Sequence, residues 1–173
     1  MSIQKGTYFE ETQFSDSAWV WLAILALQSV VFSFLIFNFD TNEINEFTIK
    51  QYYIMWGIFS IMFIAIYILF KTMNLYMKIG GGGIEYQYKP FMKKPISIQI
   101  TDIQTYSVRE YSAIKEFGGR GFKPNTKSKN APAYTMKGKY GIELNLRNSR
   151  TIFIGTQRKE ALAYAMGKLM HKG

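Results

Sequence analysis

The chain has 173 residues, no cysteine, one histidine and a formal net charge of +9. Without cysteine it holds neither a disulfide nor a thiolate metal site, and with one histidine it lacks the clustered His, Cys and carboxylate donors of zinc or iron centres. Its length fits one domain of ordinary size, or a smaller domain joined to a membrane segment.

Residues 1–17 read as an N-terminal cytosolic tail. Glu10, Glu11 and Asp16 against Lys5 give it the wrong charge for a signal peptide. Residues 18–37 (AWVWLAILALQSVVFSFLIF) and 53–70 (YIMWGIFSIMFIAIYILF) contain no charged residue. At about 1.5 Å per residue each matches the thickness of a bilayer's hydrocarbon core. Neither keeps the polar stripe of a core helix in a soluble protein, so the pair predicts a transmembrane hairpin over 18–70. Gln28, Ser29 and Ser33 suit a helix–helix contact, with Gln28 expected to bond near Ser60. Trp19 and Trp21 at one end, and Tyr52, Tyr53 and Trp56 at the other, form the expected interfacial belt.

Charge sets the expected orientation. Residues 1–70 hold two lysines and six acids, whereas residues 71–173 hold nineteen basic residues and six acids. The connecting loop 38–52 has Asp40, Glu43 and Glu46 against Lys50. Lys71 and Lys78 follow the second helix, so by the positive-inside rule both termini are expected in the cytosol and the acidic loop outside. The expected location is a bacterial inner or plasma membrane.

From residue 71 the period changes to two. Ile84–Tyr88, Ile96–Ile100 and Ile142–Leu146 alternate as half-buried strands, the last with Glu143 and Asn145 facing outward. Gly80–Gly83 reads as a hairpin turn and Arg147–Arg150 as a second turn. In the last segment Leu162, Ala165, Met166, Leu169 and Met170 share one helical face, with Thr156 expected as the cap. About seven strands closed by such a helix predict a small antiparallel barrel or sandwich over residues 71–173.

The segments LYMKIGGGGIEYQYKPF, ISIQITDIQTYSVREYS, EFGGRGF, AYTMKGKYGIELNL and IFIGTQRKEAL resemble, in that order, the membrane-associated bacterial pleckstrin-homology-like (PH-like) domains. The resemblance covers about Asn74 to Met170. It implies a partly open barrel of seven strands capped by a C-terminal α-helix, commonly beside transmembrane helices, and no established activity. The family's inositol-phosphate site is not carried over, because the first hairpin loop here is Gly80–Gly83 and has no basic residue. Arg120 stands inside Gly-Gly-x-Gly where the bacterial proteins often have an aromatic ring.

No enzymatic activity is expected. His171 lies in the terminal tail, no Ser or Thr has a histidine partner in view, and IGGGGIE joins two strands rather than opening a phosphate-binding helix. No cofactor is implied. The stronger signal is positive charge over residues 115–139, where Lys115 is joined by the candidate lipid or partner contacts Arg120, Lys123, Lys127, Lys129, Lys137 and Lys139. The expected function is therefore a membrane-anchored binding or scaffold protein acting on a membrane protein partner or on its own copies at the inner leaflet. Anionic lipid headgroup binding by the basic loop is the alternative, and an enzyme or channel-subunit role comes third. Nucleic acid is a poor partner for an anchored chain.

Overall fold

A computed structural model of the chain describes residues 6–15, 18–37, 46–124 and 131–171. The chain divides into two compact units, Asp16–Thr72 and, separately, Met1–Ser15 together with Met73–Gly173.

The smaller unit is a pair of helices, α1 (Ala18–Phe37) and α2 (Glu46–Thr72). They run antiparallel: Trp21 meets Tyr67 in a tilted pair with ring centroids 4.1 Å apart, and Phe32 meets Trp56 at 6.0 Å. Ile24 and Phe63 are buried between them, backed by Ile66, Tyr67 and Phe70. Other faces are apolar and uncovered, as at Leu22, Ile61 and Ile64. α2 starts before the expected Tyr53, since residues 46–52 contain no glycine or proline to stop it. The expected loop 38–52 loses those residues to helix, and 38–45 lie outside the described residues.

Among the described residues one helix, over Lys50–Thr72, is long and apolar enough to cross a membrane; the described apolar stretch of α1, Trp21–Phe34, is shorter. The polar residues of α1 behave differently from expectation. Ser29 donates to the Ala26 carbonyl (2.7 Å) and Ser33 to that of Ser29 (2.9 Å), so both are satisfied on their own helix. Gln28 and Ser60 line the same small gap, and no hydrogen bond joins them among the described residues.

The larger unit begins with a correction. Residues 7–14, expected as part of a tail, form strand β1 (Thr7–Phe14), which pairs antiparallel with β2 (Asn74–Gly80) from the far side of the helical pair in sequence. With β3 (Gly83–Lys89) and β4 (Ile96–Gln99) they make a four-stranded sheet in the order β1-β2-β3-β4. A 3-10 turn, Ile100–Asp102, leads to β5 (Ile103–Glu110) and a short helix α3 (Ala113–Phe117). Then come β6 (Gly121–Lys123), β7 (Ala133–Thr135), β8 (Tyr140–Leu146) and β9 (Thr151–Thr156), and the second sheet runs β5-β8-β9-β7-β6.

The described strands therefore number nine rather than seven. They form two sheets with free edges and no closed barrel, and β7 on β9 is a parallel pair in an otherwise antiparallel arrangement. Inward residues of both sheets share one core, including Leu75, Tyr86, Ile142 and Ile154. The final helix α4 (Lys159–Met170) buries Leu162, Ala165, Met166 and Leu169 against that core, as its spacing predicts. Thr156 is not its cap: it ends β9, its hydroxyl accepts the Arg158 N–H at 3.0 Å, and the helix starts at Lys159.

Polar side chains hold β1 across to the second sheet. Phe9, Glu11 and Gln13 alternate inward and are buried. Glu11 accepts from the Thr156 hydroxyl (2.5 Å) and the Gln157 N–H (3.0 Å). Gln13 donates to the Gly155 carbonyl (2.9 Å) and accepts from the Lys137 N–H (3.1 Å). All four groups are buried or partly buried, so these bonds replace water that β1 excludes.

Candidate functional site

The basic residues singled out in the sequence fall on different turns of the second sheet. Lys115 is exposed on α3, and Arg120 is exposed in the turn that follows. Gly118 ends α3 in the left-handed region (φ 72°), with its N–H bonded to the Ile114 carbonyl and that of Gly119 to Ala113. The glycines of EFGGRGF are thus a helix stop, a role that needs their backbone freedom and leaves Arg120 facing solvent. Lys123 closes edge strand β6 opposite Ala133. Lys137 and Lys139 lie in the β7–β8 turn, where their backbones serve β1 and Tyr111. Lys127 and Lys129 lie outside the described residues.

The outer face of the second sheet is not simply solvated, which corrects the reading of Glu143. Its carboxylate is buried and accepts from Arg109 Nε at 2.9 Å, while Arg109 also bonds Glu116 at 2.7 Å. The guanidinium lies over the Phe153 ring, and Tyr111, Phe117 and Phe153 form a small cluster of rings. This network latches α3 to the sheet and offers no open site.

A groove of about 730 Å³ opens where β4 faces the β8–β9 turn, with Tyr86, Ile98 and Tyr134 among its lining and Arg147 and Arg150 at its side. Neither guanidinium has an ion-pair partner among the described residues. Burial raises the Tyr86 phenol well above the usual tyrosine range, with Tyr134 beside it as a smaller cause. Tyr86 therefore stays neutral there.

A third feature was not singled out from sequence. Tyr88, Phe91, Phe122 and Tyr134 form a row of rings, Phe122 stacking on Tyr134 at 5.1 Å and Phe91 meeting Phe122 at 6.3 Å. This brings β6, which carries Lys123, beside the β3–β4 loop. The last residue of β3 and that loop together read KPFMKKP over residues 89–95, with Lys89, Lys93 and Lys94 exposed. The legible signal was three lysines around an aromatic residue between prolines. The longer lysine series at 115–139 overshadowed it. Burial pushes the Tyr88 phenol up to about 12, and its hydroxyl has no partner among the described residues.

Neither protein-family models, curated proteins nor solved structures gave a match to this chain.

Proposed function

We propose that the chain is a membrane-anchored, PH-like binding protein whose α1 and α2 form a two-helix transmembrane hairpin and whose sandwich docks a membrane protein partner, or another copy of itself, at the cytosolic leaflet. The observation that carries this reading is the pairing of β1 with β2. α2 has the length and composition of a span, and Phe14 lies opposite Asn74 at one end of a single sheet. A chain that leaves and re-enters a sheet at the same end makes an even number of crossings. If α2 crosses, α1 crosses as well, which offsets the short described apolar stretch of α1. Lys71 in the last turn of α2 and the excess of basic residues after it favour the cytosolic side for the sandwich.

The fold also has what docking uses. Edges β4 and β6 are open to strand addition, and the groove beside β4 is lined by apolar side chains such as Ile98 and Ile152 together with Asp102, Arg147 and Arg150. The resemblance to bacterial PH-like domains, over about Asn74 to Met170, takes in β2–β9 and α4 and leaves β1 outside it. Binding rather than catalysis is the proposed mode.

The test is extraction from its native membrane in mild detergent at native expression, followed by mass measurement of the intact particle. A stoichiometric companion or a defined oligomer is expected; a lone monomer would refute the docking role. A second reading, anionic headgroup binding by Arg120, Lys123, Lys127, Lys129, Lys137 and Lys139, draws support from the exposure of Arg120 and Lys139. It predicts that neutralising these residues abolishes the effect of anionic lipid on the protein.

A further inference from the structure

The strand register places a compact lysine–aromatic surface at one end of the four-stranded sheet. Phe14 ends β1 opposite Asn74, Asn74 begins β2 opposite Lys89, and the 90–95 loop follows directly. Phe14 is 58 % exposed and Phe91 57 %, unusual for phenylalanines in a folded sheet. Lys89, Lys93 and Lys94 flank Phe91 in sequence, are exposed, and have no ion-pair partner among the described residues.

The loop is held rather than loose. Gln87 Nε2 donates to the carbonyls of Met92 (3.1 Å) and Lys93 (3.2 Å), the Met92 N–H bonds the Tyr88 carbonyl (2.8 Å), and the Met92 side chain packs into the core. Tyr88 and Phe122 support one side of the Phe91 ring. Pinning the backbone inward at Met92 leaves Phe91 and the three lysines as the outward groups. An aromatic ring flanked by ammonium groups matches an anionic bilayer surface, where the ring enters the acyl boundary and the charges meet headgroup phosphates.

We infer that this sheet end, comprising Phe14, Lys89, Phe91, Lys93 and Lys94, is a docking surface for an anionic lipid bilayer. The inference rests on the reading that α2 crosses that bilayer, because the chain passes from Thr72 through Met73 alone into β2 at this same sheet end. It differs from the basic series at 115–139, of whose described residues Lys123 is carried alongside by β6. Its consequence is a fixed membrane-proximal end of the sandwich, leaving the β4 groove and the opposite end for a partner.

The absence of cysteine makes the test direct, since any introduced thiol is unique. The full chain carrying Phe91→Cys is spin-labelled and reconstituted in vesicles of phosphatidylcholine alone or with phosphatidylglycerol, and collisions with oxygen and with a water-soluble nickel complex report depth. Phe14→Cys, which leaves Phe91 in place, reads the same end independently. Ile61→Cys on α2 and Tyr164→Cys on α4 are references. The expected result is bilayer-like labels at 14 and 91 in anionic vesicles, a bilayer-like label at 61 in both, and an aqueous label at 164. Lys89→Gln, Lys93→Gln and Lys94→Gln together lower the docked-to-undocked ratio about tenfold or more. Aqueous labels at 14 and 91 beside a bilayer label at 61 would overturn the inference and leave the anchor standing. Labels buried only in native membranes, and not in pure lipid, would overturn it in favour of a protein partner. An aqueous label at 61 would remove the anchor and the inference together.

Discussion

Replacing Glu11 by alanine tests whether β1 belongs to the sandwich. In the wild type its carboxylate accepts from the Thr156 hydroxyl, fully buried, and from the Gln157 N–H. Hydrogen bonds to a charged group contribute about 1.5–3 kcal/mol each, and a buried donor left without a partner carries its desolvation penalty as well. Partial relaxation and water entry at Gln157 reduce the sum, so a loss of about 2–4 kcal/mol is expected, a large share of a typical domain's stability. At roughly 4 °C per kcal/mol for a unit of this size, the melting temperature falls by about 8–16 °C. The assay is thermal unfolding of the full chain in micelles, followed by the strand signal in circular dichroism. Glu11→Gln retains one acceptor oxygen and falls between wild type and Glu11→Ala. A shift under about 2 °C for Glu11→Ala would refute the claim that β1 is held to the second sheet through this carboxylate.

Gly83→Ala is expected to disrupt the β2–β3 hairpin and its neighbour β4, because φ is 146° and a Cβ there would overlap the Ile98 carbonyl oxygen. A loss above about 2 kcal/mol in urea unfolding is predicted, and wild-type stability would contradict it. Tyr88→Phe removes a buried hydroxyl without a partner, so at neutral pH stability stays level or rises by about 1 kcal/mol. Burial holds the folded Tyr88 phenol at about 12, above the unfolded value of 10.0, so its contribution is complete below the unfolded value. That contribution is lost as pH rises toward the folded value. The alkaline fall in stability is therefore shallower in Tyr88→Phe, as urea midpoints on both sides of pH 10 will show; an identical fall would refute this.

The elements most legible in the sequence were those whose apolar spacing is regular. Ile142, Leu144 and Leu146 on β8 and the buried face of α4 follow from period alone, and the uncharged run of α1 set its bounds. β1 was not legible because two of its three inward residues, Glu11 and Gln13, are polar, and their partners lie more than a hundred residues away. α3 is five residues long, too short for a helical period to register. Glu143 looked outward by alternation, yet Arg109 and the ring cluster cover that face. Of the expected site, charge alone was visible. Charge counted along the chain does not reveal which turns carry it, nor that the shorter KPFMKK series lies in the same strand row as Phe14.

The central claim is that one bilayer crossing pair separates two strands of the same sheet. Impermeant maleimide labelling of the full chain in intact and permeabilised cells tests it, using Thr12→Cys on β1, Tyr164→Cys on α4 and Asn42→Cys between the helices. The account predicts that Asn42→Cys labels from outside, and that Thr12→Cys and Tyr164→Cys label only after permeabilisation. Labelling of Thr12→Cys and Tyr164→Cys from opposite sides, or of all three from one side, would contradict it.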